Sequence, residues 1–208
     1  MKVLLVNGSP HSQGTTYTAL QEVEKVLNKE GIATKIFQVG PEPIAGCIGC
    51  GYCRTHDKEC VCNDVVNSFT HISKDFDGYI FGTSVHYAAA TGAATSFLDR
   101  AFLSAGSYMA YKPGAAVVVC RRGGATATFD QINKYFTINN MLIVGSNYWN
   151  TIHAATKEEI SKDQEGLQTM RNLGLNMAWV LKNLEAGKKA GIPLPTPEPK
   201  ISTSFGGK

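Results

Sequence analysis

What this chain of 208 residues lacks excludes several functions at once. It has no dense run of lysine and arginine. Arg121-Arg122 and Lys188-Lys189 are its basic pairs, so no nucleic-acid partner is expected. It has no apolar run of spanning length. The longest, such as AAVVVC, are strand-sized, and no membrane partner is expected. The opening MKVLLVNGSP carries a lysine and apolar residues, as an export signal does. Its apolar run VLLV ends at Asn7-Gly8 rather than at a small-residue cleavage site. That reads as a buried strand of a cytoplasmic protein, where thiols stay reduced and a disulfide framework is not expected. The chain has no internal repeat and no linker that would divide it. It also lacks a G-x-x-x-x-G-K-[ST] loop, a G-x-G-x-x-G fingerprint and a G-x-S-x-G elbow. No Ser/His/Asp order argues for hydrolysis.

What is present is ordinary for a globular protein: 43% hydrophobic, 18% charged, net charge +3. The length suits one domain, taken here as 1–190, with an extended proline-rich tail at 191–208. That tail could be free or lie as an arm on a partner subunit. KVLLV (2–6) is a continuous apolar run, as in a strand buried on both faces of a parallel sheet. Further strands are expected at 33–39, 79–84, 114–120 and 141–145. Helices are expected at 15–30, 63–74, 94–106 and 129–136. A last helix follows a capping box at Thr156 and Glu159, with a stripe at Leu167, Met170, Gly174, Met177, Leu181 and Leu184. Five strands alternating with helices define an α/β domain with a parallel sheet. Ligands of such sheets bind beyond the carboxyl ends of the strands, here residues 7–16, 83–92 and 120–125.

The first of these loops, NGSPHSQGTT, is rich in small residues and hydroxyls and leads into a helix. Its N–H groups and hydroxyls could wrap an anion. Without a lysine it suits a monophosphate without magnesium. The alternative is a hydroxyl-rich capping loop with no ligand. G-S-P-x-x-x-G-x-T at 8–16 resembles the phosphate loop of the flavodoxin-like NAD(P)H-dependent FMN reductases. GTSVHYAAATGAATSFLDR at 82–100 resembles the same family's second signature, with Ser84 where the family usually has proline. The resemblance covers essentially residues 1–185. It implies a doubly wound five-stranded sheet of order 2-1-3-4-5 with helices on both faces. It implies that Ser9, His11, Gln13, Gly14, Thr15 and Thr16 hold the FMN phosphate. Ser84, Val85, His86, Tyr87 and Ala88 would line the flavin ring and ribityl chain. Arg121, Arg122, Gly123 and Gly124 would meet the ring's pyrimidine edge, where reduced flavin gathers negative charge. It also implies a homodimer or homotetramer. Tyr148, Trp149 and His153 are weaker candidates, for a cleft wall or a subunit contact.

Five of the six cysteines crowd into GCIGCGYCRTHDKECVC, residues 46–62. Cys47, Cys50, Cys53 and Cys60 have the C-x2-C-x2-C spacing, plus a fourth thiol, that can wrap a compact cluster. The segment resembles that of the iron–sulfur flavoproteins, which implies a 4Fe–4S cluster. Zinc on Cys47, Cys50, Cys60 and Cys62 and empty reduced thiols remain open. The expected function is an oxidoreductase passing hydride from NAD(P)H through FMN to a small acceptor such as a quinone, a nitro or azo compound, or flavin. The alternative is an electron carrier exchanging electrons with a ferredoxin-like partner. A zinc-binding or regulatory module on the same scaffold is a third reading.

Overall fold

The structure is a computed structural model, and it describes residues 1–199, 201–203 and 205. The chain runs β1 (Lys2–Asn7), α1 (Thr15–Lys29), β2 (Ala33–Gln38), α2 (Tyr52–Thr55), α3 (Val65–Ser73), β3 (Gly78–His86) and β4 (Ala89–Ala90). It continues through α4 (Gly92–Met109), β5 (Pro113–Cys120), α5 (Ala125–Ile138), β6 (Leu142–Ile143), β7 (Thr151–His153) and α6 (Gln164–Lys189). The parallel sheet has the spatial order β2-β1-β3-β5-β6. Its five principal strands follow the expected 2-1-3-4-5.

The strand runs are apolar throughout because both sheet faces are covered. In β1, Val3 and Leu5 face α1 and α6, where they join Leu20, Val23, Leu173 and Met177. Leu4 and Val6 face the other way, toward Phe69, Phe81, Phe97 and Phe136 of the second layer. All eight residues of β5 are buried.

The sheet has seven strands rather than the expected five. β4 folds back on β3 as a hairpin, pairing Val85 with Ala90 and His86 with Ala89. The expected fifth strand at 141–145 is split. β6 pairs only with Pro113 and Gly114 at the start of β5, and β7 pairs with Val118–Cys120 at its end. The chain between them loops out, carrying Tyr148 and Trp149 exposed to solvent. Buried Asn150 closes the loop, with Nδ2 donating to Val144 O and its own carbonyl accepting from Val118 N.

The expected capping box does not cap the last helix. Glu159 accepts from Ala155 N in a turn that leads into a 3-10 segment, Glu159–Lys162. Asp163 caps α6 instead, accepting from Gly166 N at 2.9 Å. In the α6 stripe Met170, Gly174, Met177 and Leu181 are buried, whereas Leu184 is exposed. Residues 192–199 have no regular structure and expose their side chains; Lys200, Ser204 and 206–208 of the expected tail lie outside the described residues. Among the described residues no helix is long and apolar enough to cross a membrane.

Candidate functional site

Three loops meet at the carboxyl ends of β1, β3 and β5. Sheet order reverses between β1 and β3, which opens a crevice there. The first loop is shaped by two buried or half-buried amides. Asn7 Oδ1 accepts from Ser9 N at 3.2 Å, and Asn7 Nδ2 donates to His11 O and to Gln38 Oε1. Gln38 Nε2 donates to Ser9 O at 2.8 Å. Ser9 is buried and its Oγ accepts from His11 N, so its hydroxyl holds the turn. His11, Ser12 and Gln13 stand exposed on the rim.

The second loop is the β3–β4 hairpin. Tyr87 and Ala88 form its tip with φ of 49° and 60°. Two left-handed residues in sequence are the signature of a type I′ hairpin turn, which ordinarily takes Asn-Gly. Each non-glycine residue held this way costs on the order of 1–3 kcal/mol, and such strain gathers at ligand clamps. The Tyr87 side chain is fully exposed. Ser84 and Val85 are half-buried below it and His86 is exposed beside it.

The third loop, Arg121–Gly124, packs against that hairpin. Gly124 has φ of +91°, and a Cβ there would stand 2.4 Å from Ala88 Cα. Gln131 of α5 adds a tie, accepting from Ala90 N at 3.0 Å. Arg121, Arg122 and Gly123 are exposed. Beneath them Cys120 is buried, its Sγ 3.4 Å from His153 Nδ1. Burial pushes this thiol up, against the pull of the Arg122 and Ala125 N–H groups. It stays protonated near neutrality and serves as packing.

The helix ends reveal what the loops present. α3, α4 and α6 begin with side-chain caps from Asp64, Thr91 and Asp163. The one-turn α2 begins at Gly51 with none, and so do α1 at Gly14 and α5 at Gly124. The last two open at the first and third loops. Their first N–H groups have no intrahelical acceptor and no side-chain cap. Thr16, fully buried in the first turn of α1, leaves its Oγ1 without a partner.

The cysteine segment forms a second feature. Cys47, Cys50, Cys53, Cys60 and Cys62 line one cleft of about 120 Å³ together with Arg100 of α4. All are free thiols. Asn67 receives Cys60 N and donates to Cys60 O and Cys62 O. Cys53 Sγ lies 3.8 Å from Leu103 O. Arg100 is buried and forms a two-point ion pair with Asp64, at 2.6 and 2.9 Å. Burial opposes its charge, but bonds with Asp64 and Cys60 outweigh that and hold the guanidinium proton more firmly than usual. Burial likewise raises the Cys62 thiol, with Arg100 pulling it back.

Over residues 1–156 the sequence matches the family described as NADPH-dependent FMN reductase. The chain belongs to that family. An iron–sulfur flavoprotein of Methanocaldococcus jannaschii is 33% identical over 190 residues, covering 88% of this chain and 98% of the relative. One from Archaeoglobus fulgidus is 28% identical, covering 86% and 97%. Among solved structures, an archaeal flavodoxin superposes with a TM-score of 0.61 at 14% identity, over 88% of this chain and 99% of that one. An NADH:FMN oxidoreductase in its apo form gives 0.63 at 14%, over 86% and 89%. These two show the flavodoxin-like fold.

The chain's own groups suit FMN, the cofactor in the family's description. An uncapped helix N-terminus, a buried hydroxyl without a partner and a small-residue turn without carboxylates fit a phosphate monoester. The sequence pointed to these loops but not to Asn7, Gln38 and Gln131, which shape them. An amide at the end of a strand was the only signal for Asn7. Arg100 was visible only as part of Phe-x-Asp-Arg; its link to the cysteines, 38 to 40 residues away in sequence, needed the fold.

Proposed function

We propose that this chain is an FMN-dependent oxidoreductase that takes hydride from NAD(P)H and reduces a small acceptor such as a quinone, a nitro or azo compound, or flavin. The observation that carries this is the pair of uncapped helix starts, α1 and α5, at two strand ends flanking a strained hairpin. Bound FMN would supply a carrier that accepts hydride and releases it again. Gln13, Thr15 and Thr16 would hold the phosphate through their N–H groups and the threonine hydroxyls, while Ser9, His11 and Gly14, whose N–H groups donate to Asn7 Oδ1, Ser9 Oγ and His11 O, shape the turn around it. Ser84, Val85, His86, Tyr87 and Ala88 would line the ring and ribityl chain, with the Tyr87 ring available for stacking. Arg121, Arg122, Gly123 and Gly124 would lie toward the pyrimidine edge, where a guanidinium and N–H groups favour negative charge.

Thr16→Val tests the phosphate site. Removing a hydroxyl donor from a charged acceptor costs about 1.5–3 kcal/mol, so FMN affinity should fall roughly 10- to 150-fold. Stability of the FMN-free protein should hold or rise, because the hydroxyl has no partner there. Isothermal titration with FMN decides; unchanged affinity means the phosphate lies elsewhere.

A second reading is favoured by the cysteine cleft: an iron–sulfur flavoprotein that exchanges electrons with a ferredoxin-like protein in the cytoplasm. Five thiols and no carboxylate line the cleft, the donor type an iron–sulfur centre takes. Among the described residues no three His, Cys, Asp or Glu side chains converge as a metal-holding group. Gly49 and Gly51, between the first three cysteines, give the loop the backbone freedom to close them. The family relatives carry the iron–sulfur name as well. Protein purified without air, with its absorption spectrum, iron and zinc measured on one sample, separates the readings. Flavin bands with about four irons per chain support the carrier. Flavin bands without metal leave a plain FMN reductase, and zinc alone points to a structural site.

A further inference from the structure

The guanidinium of Arg100 is fully committed. Nε donates to Cys60 Sγ at 3.2 Å. Nη1 donates to Ala45 O at 3.3 Å and Asp64 Oδ2 at 2.6 Å. Nη2 donates to Cys62 O at 3.2 Å and Asp64 Oδ1 at 2.9 Å. These five bonds match the five N–H donors that arginine has. The fork cannot turn without breaking several of them, so the Nε–H is fixed on the sulfur. A clamp for the loop would need only the carbonyl and carboxylate bonds. The bond to the thiol side chain does something more: it places a donor and a buried positive charge against one of the four thiols with cluster spacing.

We propose that Arg100 sets the reduction potential of the redox centre held by the cysteine cleft, with Asp64 as the counter-charge that tempers it. The proposal rests on the iron–sulfur reading above. When one electron enters such a centre no bond is made or broken, and the centre becomes one unit more negative. A hydrogen bond to a ligand sulfur favours that more negative state, and sulfur hydrogen bonds and net charge are among the factors that set such potentials. Arg100 therefore raises the potential, and the Asp64 carboxylate lowers it. The two side chains act in opposite directions although they share one ion pair. A purely structural clamp would not: loosening it from either side would disturb the same loop in the same way.

The test is a potentiometric titration with dithionite, followed by electron paramagnetic resonance, on reconstituted full-length protein and on the variants Arg100→Gln and Asp64→Asn. Asn is a good helix cap, so Asp64→Asn preserves the start of α3. Arg100→Gln should lower the potential and Asp64→Asn should raise it, each by about tenfold in the reduction equilibrium, ~59 mV for one electron. Arg100→Lys, which keeps the charge but loses the fixed fork, should fall between wild type and Arg100→Gln. Shifts of the same sign, or none, overturn the proposal. If Arg100→Gln assembles no centre, Asp64→Asn decides alone, a rise supporting the assignment and a fall or no change overturning it. A wild-type protein that holds no iron after anaerobic reconstitution overturns this proposal together with the reading beneath it, and is told apart by the iron assay.

Discussion

Gly124→Val should destabilise the protein by about 2–5 kcal/mol, the sum of a left-handed branched residue and an overpacked contact. Gly124 has φ of +91°, which disfavours any side chain, and a valine least of all. The atom its Cβ would meet is Ala88 Cα at 2.4 Å, a backbone atom of the hairpin tip and not the end of a flexible side chain. Val85 Cγ1 at 3.0 Å blocks another way out. The hairpin must move, and with it the second wall of the crevice. Thermal unfolding and an FMN titration should therefore change together. A variant with the wild-type midpoint and wild-type flavin affinity would mean that the third loop does not brace the second.

Phe69→Ala should cost about 3–5 kcal/mol, the usual range for an aromatic removed from a packed core. The ring is fully buried, edge-on to Phe97 at 5.2 Å and to Phe37 at 5.7 Å, with Phe81 at 6.1 Å. For a chain of this size the loss lowers the melting temperature by roughly 6 to 20 °C. Phe69 lies on α3, whose first turn carries Asn67 and whose cap is Asp64, the two residues that hold Cys60 and Cys62 with Arg100. The lost ring belongs to α3 itself, whereas Gly8 of the first loop meets only its neighbours Phe81 and Phe97. Hydrogen exchange should thus quicken at 60–67 more than at 8–16. Equal protection at both segments would show that α3 does not carry the cysteine turn.

The sheet was readable because its strands are buried on both faces. A run such as KVLLV needs no alternation to be recognised, and Asn7-Gly8 marks its end. The first phosphate-type loop was readable for a related reason: a strand stop, small residues and a helix start fall within ten positions of each other. β4 and β7 were not readable. Two or three residues carry no period, and they become strands only because β3 and β5 offer free backbone groups beside them. The Thr156/Glu159 pair matched a capping pattern, yet Asp163 stands nearer the first residue that α6 buries, Gly166, and it took the cap.

By itself, then, the sequence determined the class of fold, the strand ends that matter and the crowding of five thiols, because each of these is local in the chain. The tertiary structure decided the rest: that Gly124 touches Ala88, that two helices begin uncapped at the crevice, and that Arg100 reaches Cys60. Those contacts join residues 36 to 40 positions apart through side chains and turns with no period of their own. Only the packing of the sheet against α4 and α5 brings them within hydrogen-bond or van der Waals reach.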